Sequence, residues 1–468
     1  MYHSQATKHG VIRLGLSIVI LAAGQGTRMR SELPKVLQLL AGKPLLAHVL
    51  ACSRALAADD VCVVYGHGGE AVPAAFAGQD IRWALQAEQL GTGHAVQQAM
   101  PDMPDASQIL ILAGDVPLLR TTTLQQLIDQ TAVDEMAILT VDMEDPTGYG
   151  RIIRDDDSVR SIVEQKDASE EQAEIVEINT GVMLCPGASL KAWLLNLENN
   201  NSQGEYYLTD IIAMAVANGV RVHGIKANSS VEVMGINDKK QLAEAERAMQ
   251  ARLIDELMAE GVGFADPMRV DIRGTLKCGK DVFIDVNAIF EGDVELGDGT
   301  RIESNNLIRD SKLGTRTLVH SNCHIEGATT GSNCELGPFA RLRPGTALAD
   351  NVKIGNFVEI KKSTIADGSK VNHLAYIGDA EIGKGVNVGA GTITCNYDGA
   401  NKHKTSIGDN ASIGSNVNLV APVTVGEGAT IGAGSTISKS APAGELTVER
   451  AQQTTIPGWK RPTKKDAK

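Results

Sequence analysis

The segment 407–440 reads IGDNASIGSNVNLVAPVTVGEGATIGAGSTISKS, with an aliphatic residue at every sixth position. These aliphatic positions are Ile407, Ile413, Leu419, Val425, Ile431 and Ile437. The same spacing occurs earlier in the chain, at Leu336, Leu342, Leu348, Ile354 and Ile360. Regular repeats of this kind predict a solenoid in which each repeat packs only against its neighbours. By itself the pattern predicts a stiff prism with an aliphatic interior.

Most of these aliphatic residues are followed by glycine, as in the hexads IGDNAS, IGSNVN, VGEGAT and IGAGST. The hexads resemble the hexapeptide-repeat family, which implies a left-handed parallel β-helix with three hexads in each triangular coil. Only 3% of the residues are aromatic, which suits so narrow a core. The period breaks at 394–406, TCNYDGANKHKTS, and such an excursion from a regular solenoid is a candidate for function.

The first half of the chain has a different pattern, in which short β-branched runs alternate with helical periodicity. The predicted strands are SIVILAAG (17–24), VCVVYG (61–66), ILILAGD (109–115), MAILTVD (136–142) and VHGIKA (222–227). This alternation is typical of an α/β protein with a mostly parallel, doubly wound sheet. The first run resembles the core of a signal peptide. It leads directly into a glycine loop, however, so we interpret it as a buried strand.

A helical pattern without Gly or Pro, residues 238–260, joins the two halves. We therefore predict four parts. They are an N-terminal extension (1–15), a Rossmann-like domain (16–237), a connecting helix (238–260) and a β-helix domain with a C-terminal tail (261–468).

Composition narrows the class of protein. The chain has 44 Lys and Arg against 57 Asp and Glu, a net charge of −13, which disfavours nucleic acid and anionic membranes as partners. Seven cysteines, an odd number without CxxC spacing, favour reduced thiols. No apolar run approaches the roughly 18 residues of a membrane span. We expect a cytoplasmic protein without membrane insertion.

Residues 21–35, LAAGQGTRMRSELPK, follow the first predicted strand and precede a helix. Glycines let the backbone approach phosphates closely, and helix N-terminal amides favour anions. The string resembles the signature of nucleoside triphosphate-dependent sugar-phosphate nucleotidyltransferases. Further matching segments are LQAEQLGTGHA (85–95), LAGDVPL (112–118), GYGRI (148–152), IVEQKDA (162–168) and INTG (178–181).

The resemblance implies attack of a sugar 1-phosphate on the α-phosphorus of UTP, with Arg28 and Lys35 as catalytic cations. It implies Asp115 and Asn237 as ligands of one Mg²⁺. Two alternatives stay open, because Asp115 could be a turn residue before Pro117 and Asn237 an N-cap. The residues implied in substrate binding are Leu21, Ala22, Ala23, Gly24, Lys35, Gln86, Gly91, Thr92, Ala113, Gly114, Asp115, Gly150, Glu164, Asn179 and Asn237.

Irregular residues distinguish the second half from a plain scaffold. The segments are GPFARLRPG (337–345), GNFVEIKKS (355–363), VNHLAYIGDAEIG (371–383), VGAGTITCNYDG (388–399) and VTVGEGATIGAG (423–434). They resemble the family of bifunctional N-acetylglucosamine-1-phosphate uridylyltransferases and glucosamine-1-phosphate N-acetyltransferases, the GlmU family. The resemblance covers residues 16 to about 461.

An amine substrate must lose a proton before it attacks a thioester, and imidazole suits that role. His373 is therefore the predicted general base, although a lone histidine on a coil is usually only a corner residue. The resemblance implies Arg343 and Lys361 as a phosphate clamp, rather than solvated surface charges, with Tyr376 and Asn387 in the sugar site. It places acetyl-CoA, the second co-substrate beside UTP, at Ala390, Asn396, Tyr397, Ser415, Ala433 and Arg450.

In the family such acetyl-CoA sites form between neighbours of a homotrimer. The leading hypothesis is one chain with two activities that together yield UDP-N-acetylglucosamine, a precursor of bacterial envelope polysaccharides. The first alternative is a nucleotidyltransferase with a single activity whose β-helix only oligomerises it. The second is a structural hexapeptide protein without enzymatic activity.

Overall fold

A computed structural model describes residues 15–104 and 108–462. The chain divides into two compact units between Met249 and Gln250. Residues 1–14 of the predicted extension and residues 463–468 of the tail lie outside the described residues. All seven cysteines are free thiols. Within the described ranges, no helix is both long and apolar enough to cross a bilayer.

The first unit is built on a nine-stranded sheet, in the order β5-β4-β1-β6-β10-β7-β11-β9-β8. The strands of this sheet are β1 (Leu16–Ala22), β4 (Asp60–Tyr65), β5 (Arg82–Leu85), β6 (Gln108–Ala113), β7 (Met136–Asp142), β8 (Arg151–Asp155), β9 (Ser158–Val163), β10 (Glu177–Pro186) and β11 (Val222–Lys226). Strands β2 (Leu39–Leu40) and β3 (Lys43–Pro44) form a separate two-stranded hairpin. The five strands predicted from β-branched runs are confirmed.

The sheet is mixed rather than mostly parallel. Pairing is parallel from β5 through β4 and β1 to β6, and again between β7 and β11. Strand β10 lies between β6 and β7 and runs antiparallel to both. The sequence pattern missed β10 because Asn179 and Gly181 interrupt its apolar run, and the pairing with β7 shifts register at that point.

Helices cover both faces of this sheet. The helices of the first unit are α1 (Leu45–Ala55), α2 (Ala71–Ala75), α3 (Thr92–Ala99), α4 (Thr121–Asp129), α5 (Glu170–Ala173), α6 (Gly187–Leu194) and α7 (Asp210–Ala217). The last helix, α8 (Lys239–Ala259), crosses the boundary between the two units, and its Ile254 and Leu257 belong to the core of the second. Ile18 and Ile20 of β1 belong to a core that includes α1 and α4. Val19 points to the opposite face and packs with α3, α6 and α7.

The second unit is a left-handed parallel β-helix with three faces. The first face holds strands Gly263–Phe264, Phe283–Ile284, Arg301–Ile302, Leu318–Val319, Glu335–Leu336, Lys353–Asn356, Lys370–His373, Asn387–Val388, Ser412–Ile413, Thr430–Ile431 and Leu446–Thr447. The second holds Leu307–Arg309, His324–Glu326, Arg341–Leu342, Glu359–Lys361, Tyr376–Gly378, Ile393–Cys395, Asn418–Val420 and Thr436–Ile437. The third holds Lys312–Leu313, Ala328–Thr330, Thr346–Leu348, Thr364–Ile365, Ala380–Ile382, Thr405–Ile407 and Val423–Val425. Two long strands, Val270–Cys278 and Ala288–Leu296, contribute to both the second and the third face.

The register of the strands confirms the hexad prediction. Leu336 pairs with Ile354, and Leu342 with Ile360, so one coil is 18 residues or three hexads. At the predicted excursion Ala380 pairs instead with Thr405, 25 residues on, so this coil holds seven additional residues. The eleven aliphatic residues at sixth positions are all buried in one continuous core.

This core predicts a large loss of stability for Ile354→Ala, because Ile354 is fully buried and a narrow prism cannot collapse around the cavity. We expect the free energy of unfolding to fall by about 2–5 kcal/mol in urea titrations followed by circular dichroism. Ser412→Ala, on the exposed side of the same face, should change it by less than about 0.5 kcal/mol. Equal effects of the two substitutions would contradict this account of the core.

Candidate functional sites

A cavity of about 390 Å³ opens where β1 and β6 end, at the carboxyl edge that commonly binds ligands in α/β sheets. Twelve predicted residues line it: Leu21, Ala22, Ala23, Gly24, Lys35, Gln86, Gly91, Thr92, Ala113, Asp115, Glu164 and Asn179. Gly114, Gly150, Asn237 and Arg28 are not among its lining residues. The cavity is therefore built mainly from segments that the sequence motifs had singled out.

Lys35 lies at the centre of the polar groups in this cavity. Its ammonium forms an ion pair with the Asp115 carboxylate and donates a 3.1 Å hydrogen bond to Oδ1 of Asn237. The backbone N–H of Ile236 donates to the Asp115 carbonyl at 3.0 Å, which keeps these two segments adjacent. The structure thus brings the two predicted metal ligands together around one positive charge.

The turn at 34–35 fits closely between two glycines with left-handed backbone conformation. A Cβ on Gly26 would lie 2.7 Å from Cβ of Lys35, and a Cβ on Gly68 would lie 2.5 Å from Cγ of Pro34. Side chains at either glycine would push the lysine away. Gly26 and Gly68 therefore help to place Lys35, whether or not the backbone there also approaches phosphate.

Asn237 and Asp115 both use their side chains to bind Lys35. Asn237 is not the N-cap of α8, because the Asp238 carboxylate accepts the 2.8 Å bond from the N–H of Gln241. The amide oxygen of Asn237 is thereby left for Lys35. Asp115 does lie in a turn before Pro117, but its carboxylate binds Lys35. An oxygen set of one carboxylate and one amide suits Mg²⁺ when phosphate and water supply the remaining ligands.

These two side chains are not a complete cage for a metal ion. Among residues 15–104 and 108–462, no group of three or more His, Cys, Asp or Glu could hold one. A cation bound here would complete its shell with water or, as is usual for magnesium at triphosphate sites, with oxygens of the substrate.

The opposite side of the cavity is acidic and partly buried. The hydroxyl of Thr209 donates to Oε1 of Glu164 at 3.0 Å, and burial raises the pKa of the Glu164 carboxyl. The N–H of Asn179 donates to the Gly150 carbonyl at 2.9 Å, which places Gly150 beside this wall. Thr209 and the nearby Glu205 were not predicted, since they lie outside the matched sequence segments.

Gln86 and Thr92 are held by local hydrogen bonds. The Gln86 amide donates to the Gly91 carbonyl at 3.0 Å, and the Thr92 hydroxyl accepts from the N–H of Leu208 at 3.1 Å. Arg28 is exposed on the 3₁₀ turn Thr27–Met29. Burial and, after it, the Asp115 carboxylate raise the pKa of the Tyr149 phenol. Arg28 lies close enough to oppose this rise.

In the second unit, one edge of the prism collects several predicted residues. Backbone hydrogen bonds join successive coils along this edge. The N–H of Gly391 donates to the His373 carbonyl (3.2 Å), the N–H of Asn416 to the Ala390 carbonyl (2.7 Å) and the N–H of Gly434 to the Ser415 carbonyl (2.8 Å). His373, Ala390, Ser415 and Ala433 consequently follow one another along the edge between the first and second faces. Ser415 and Ala433 are exposed. An extended ligand could therefore lie along this row.

His373 is exposed and oriented by a neighbour on the preceding coil. Its Nδ1 lies 2.6 Å from Oδ1 of Asn356, which the sequence did not predict as a site residue. Because an amide oxygen only accepts, Nδ1 of the neutral ring carries the hydrogen and Nε2 carries the lone pair. The ring is thus presented with Nε2 as the basic atom.

Three cations converge beside this edge. The adjacent ammonium of Lys402, then desolvation, and after these the Arg343 guanidinium hold the pKa of Lys361 below its usual value. Arg343 also donates to Glu359 at 2.8 Å. Lys402 was not predicted as a site residue, because it lies in the excursion at 394–406 and its proximity to Lys361 depends on the loop conformation. Like charges held together favour binding of an anion.

The excursion itself is closed by one carboxylate. Asp398 accepts bonds from the N–H of Ala400 (2.8 Å), the N–H of Asn401 (2.6 Å) and Nε2 of His403 (2.6 Å). These donors hold the pKa of Asp398 far below its usual value. The loop is a folded hairpin, and its Tyr397–Lys402 bridge places Lys402 at its base.

The other predicted residues occupy separate positions along the same coils. Asn396 donates to Asp379, and the exposed Tyr397 hydroxyl donates to the Gly399 carbonyl at 2.6 Å. Tyr376 begins a strand of the second face just after the edge, and Asn387 lies on the first face. The Arg450 guanidinium reaches the coil at Gly432, where a Cβ would lie 2.8 Å from its Nη2.

Three bulky apolar residues protrude from this edge, one coil after another. Phe339, Phe357 and Leu374 are 48%, 54% and 64% exposed, and the two rings stack with centroids 5.2 Å apart. We call them the apolar edge. All three have left-handed backbone conformation, with φ of 56°, 57° and 48°. Other coils have residues that tolerate this conformation at the same position: Asn305, Asn322, Gly391, Asn416 and Gly434.

Comparison with known proteins gives matches to both units. The MobA-like NTP transferase domain model matches residues 18–194, and the bacterial transferase hexapeptide (six repeats) model matches 404–439. A relative from Aromatoleum aromaticum, named bifunctional protein GlmU, is 56% identical over 97% of this chain and 100% of its own length. Proteins of the same name from Janthinobacterium sp. and Azoarcus sp. are 55% and 56% identical, each over 96% of this chain and over 99% and 100% of their own lengths.

Proposed function

This chain belongs to the GlmU family of bifunctional proteins, and from that premise we propose that it makes UDP-N-acetylglucosamine in two steps. The second unit acetylates glucosamine 1-phosphate with acetyl-CoA. The first unit then transfers a uridylyl group from UTP to N-acetylglucosamine 1-phosphate and releases pyrophosphate. The relationship extends over nearly the whole of each compared chain, so both halves are included in the family assignment.

For uridylyl transfer, we assign Asp115 and Asn237 as the side chains that hold Mg²⁺. The bound ion would neutralise charge on the triphosphate oxygens. Lys35 and the exposed Arg28 supply the remaining positive charge, which favours in-line attack by the sugar phosphate oxygen on the α-phosphorus. No residue of the chain needs to form a covalent intermediate, so positioning and charge account for catalysis.

The two ends of the cavity then hold the two substrates. Leu21 to Gly24, Gln86, Gly91 and Thr92 would contact the uridine end, with Ala113 to Asp115 along the ribose and phosphates. On the opposite wall, Gly150, Glu164 and Asn179 would bind the N-acetylglucosamine group. Gly150 lies directly behind this wall, since a Cβ there would lie 2.8 Å from Cγ2 of Ile162 and 3.5 Å from Oε1 of Glu164.

For acetyl transfer, His373 is the general base. The lone pair on Nε2 takes a proton from the substrate ammonium, while Asn356 fixes the ring through Nδ1. The amine nitrogen then forms a bond to the thioester carbonyl carbon, the C–S bond breaks, and the nitrogen gives up its second proton as the coenzyme thiolate leaves and is protonated. Arg343, Lys361 and Lys402 bind the sugar phosphate, with Tyr376 and Asn387 beside the sugar.

Acetyl-CoA would lie along the row of small residues at the edge, where Ala390, Ser415 and Ala433 follow His373. Asn396, Tyr397 and Arg450 complete this site in our proposal, Arg450 meeting a coenzyme phosphate. The row is open to solvent in the single chain, which supports a site completed by a neighbour in a homotrimer. Seven free thiols support a cytoplasmic location.

The observation that carries the proposal is the alignment of His373 with the small residues along one edge, beside three convergent cations. A β-helix that served only for oligomerisation would need neither feature. Purified protein with acetyl-CoA and glucosamine 1-phosphate should release free thiol, detected with a chromogenic disulfide. The same sample should form pyrophosphate from UTP and N-acetylglucosamine 1-phosphate. Pyrophosphate without thiol release would leave only the alternative with a single activity.

A further inference from the structure

The ammonium of Lys35 is bonded to both side chains that we propose as metal ligands. It pairs with the Asp115 carboxylate and donates to Oδ1 of Asn237, and the Lys35 and Asp115 side chains are only 12% and 20% exposed. The oxygens that a divalent cation would use are thus occupied by a positive charge supplied by the chain itself.

The stem of Lys35 has little freedom to move. Gly26 packs against its Cβ, and Gly68 packs against the preceding Pro34, so both neighbours fix the start of the side chain. Only the outer carbons can carry the ammonium away from Asp115. Exchange of the ammonium between two partners would therefore use the outer torsions of this side chain.

We propose that Lys35 is the resident counter-cation of the Asp115–Asn237 pair and must leave it before a divalent cation binds. The two positive charges repel each other and compete for the same oxygen lone pairs. A triphosphate offers the ammonium a second anionic partner, and so it favours metal binding. By linkage, the metal ion must favour nucleotide binding to the same extent. This inference rests on the proposed uridylyltransferase function.

The test is Mn²⁺ binding to the full chain without nucleotide, measured from the electron paramagnetic resonance signal of free Mn²⁺. Lys35→Met keeps an unbranched side chain but removes the competing charge, so it should bind Mn²⁺ about tenfold more tightly than the natural protein. Lys35→Arg keeps the charge and should bind as weakly as the natural protein. Arg28→Met removes an exposed charge of the same loop and should have a much smaller effect.

Asp115→Asn separates failure of this inference from failure of the proposed function. If Asp115→Asn weakens Mn²⁺ binding while Lys35→Met leaves it unchanged or weaker, the metal site stands and the role of Lys35 is wrong. If neither variant alters Mn²⁺ binding, the metal site itself is wrong and the inference falls with it. An unchanged unfolding temperature shows that each variant is folded, and retained acetylation shows that the other unit is unaffected.

Discussion

Replacing His373 by alanine should lower the rate of acetyl transfer by roughly 10²–10⁴-fold, the range that a positioned general base contributes. Glucosamine 1-phosphate carries an ammonium group at neutral pH, and in our proposal Nε2 of His373 is the atom that takes its proton. The measurement is thiol release from acetyl-CoA at saturating substrate. Uridylyl transfer, followed as pyrophosphate, should stay near its natural rate because its residues belong to the other unit.

Asn356→Ala is the matched control for orientation. It leaves the imidazole in place but removes the acceptor that fixes Nδ1, so the rate of acetyl transfer should fall less than with His373→Ala. Equal loss of both activities in His373→Ala would indicate structural damage instead of loss of a base. Unchanged acetyl transfer would mean that His373 is only a corner residue of the coil.

Much of the fold was predictable because it depends on short-range patterns. A buried aliphatic is required at each turn of the prism, so the register of Leu336 with Ile354 follows from the hexad period. Five strands of the first unit likewise follow from β-branched runs. Strand β10 could not be predicted in this way. Its place between β6 and β7 is set by distant partners and a register shift rather than by its own composition.

The candidate sites show the same division. Segments such as 21–35 carry their residues in fixed order, and most of those residues line one cavity. Lys402, Asn356 and Thr209 were missed because their importance arises only from proximity across coils or strands. The link from Lys35 to Asn237 spans 202 residues of sequence and could not be derived from local spacing. The conformation of Phe357 is a further example, since left-handed geometry at a bulky residue is visible only in the structure.

If the apolar edge is the subunit contact of the proposed trimer, replacing its two aromatic residues should dissociate the trimer. Burying a Phe side chain contributes about 1.5–3 kcal/mol. Because 1.4 kcal/mol corresponds to a tenfold change in affinity, Phe339→Asn combined with Phe357→Asn should weaken subunit association by about a hundredfold or more. Asparagine already occupies this position on other coils, at Asn305, Asn322 and Asn416, so the backbone conformation should be retained in each chain. Sedimentation velocity at decreasing protein concentration would measure the dissociation.

The activities should separate in the same experiment. If the acetyl-CoA site is completed by a neighbour, the double asparagine variant loses acetyl transfer as it dissociates and keeps uridylyl transfer. Leucine at both positions is the matched control, because it preserves apolar surface in the same backbone and should preserve the trimer. A double asparagine variant that stays trimeric at low concentration would show that the edge is not the subunit contact. A dissociated variant that still acetylates would show that each chain holds a complete acetyl-CoA site. This comparison is decisive because the row from His373 to Ala433 is exposed in the single chain.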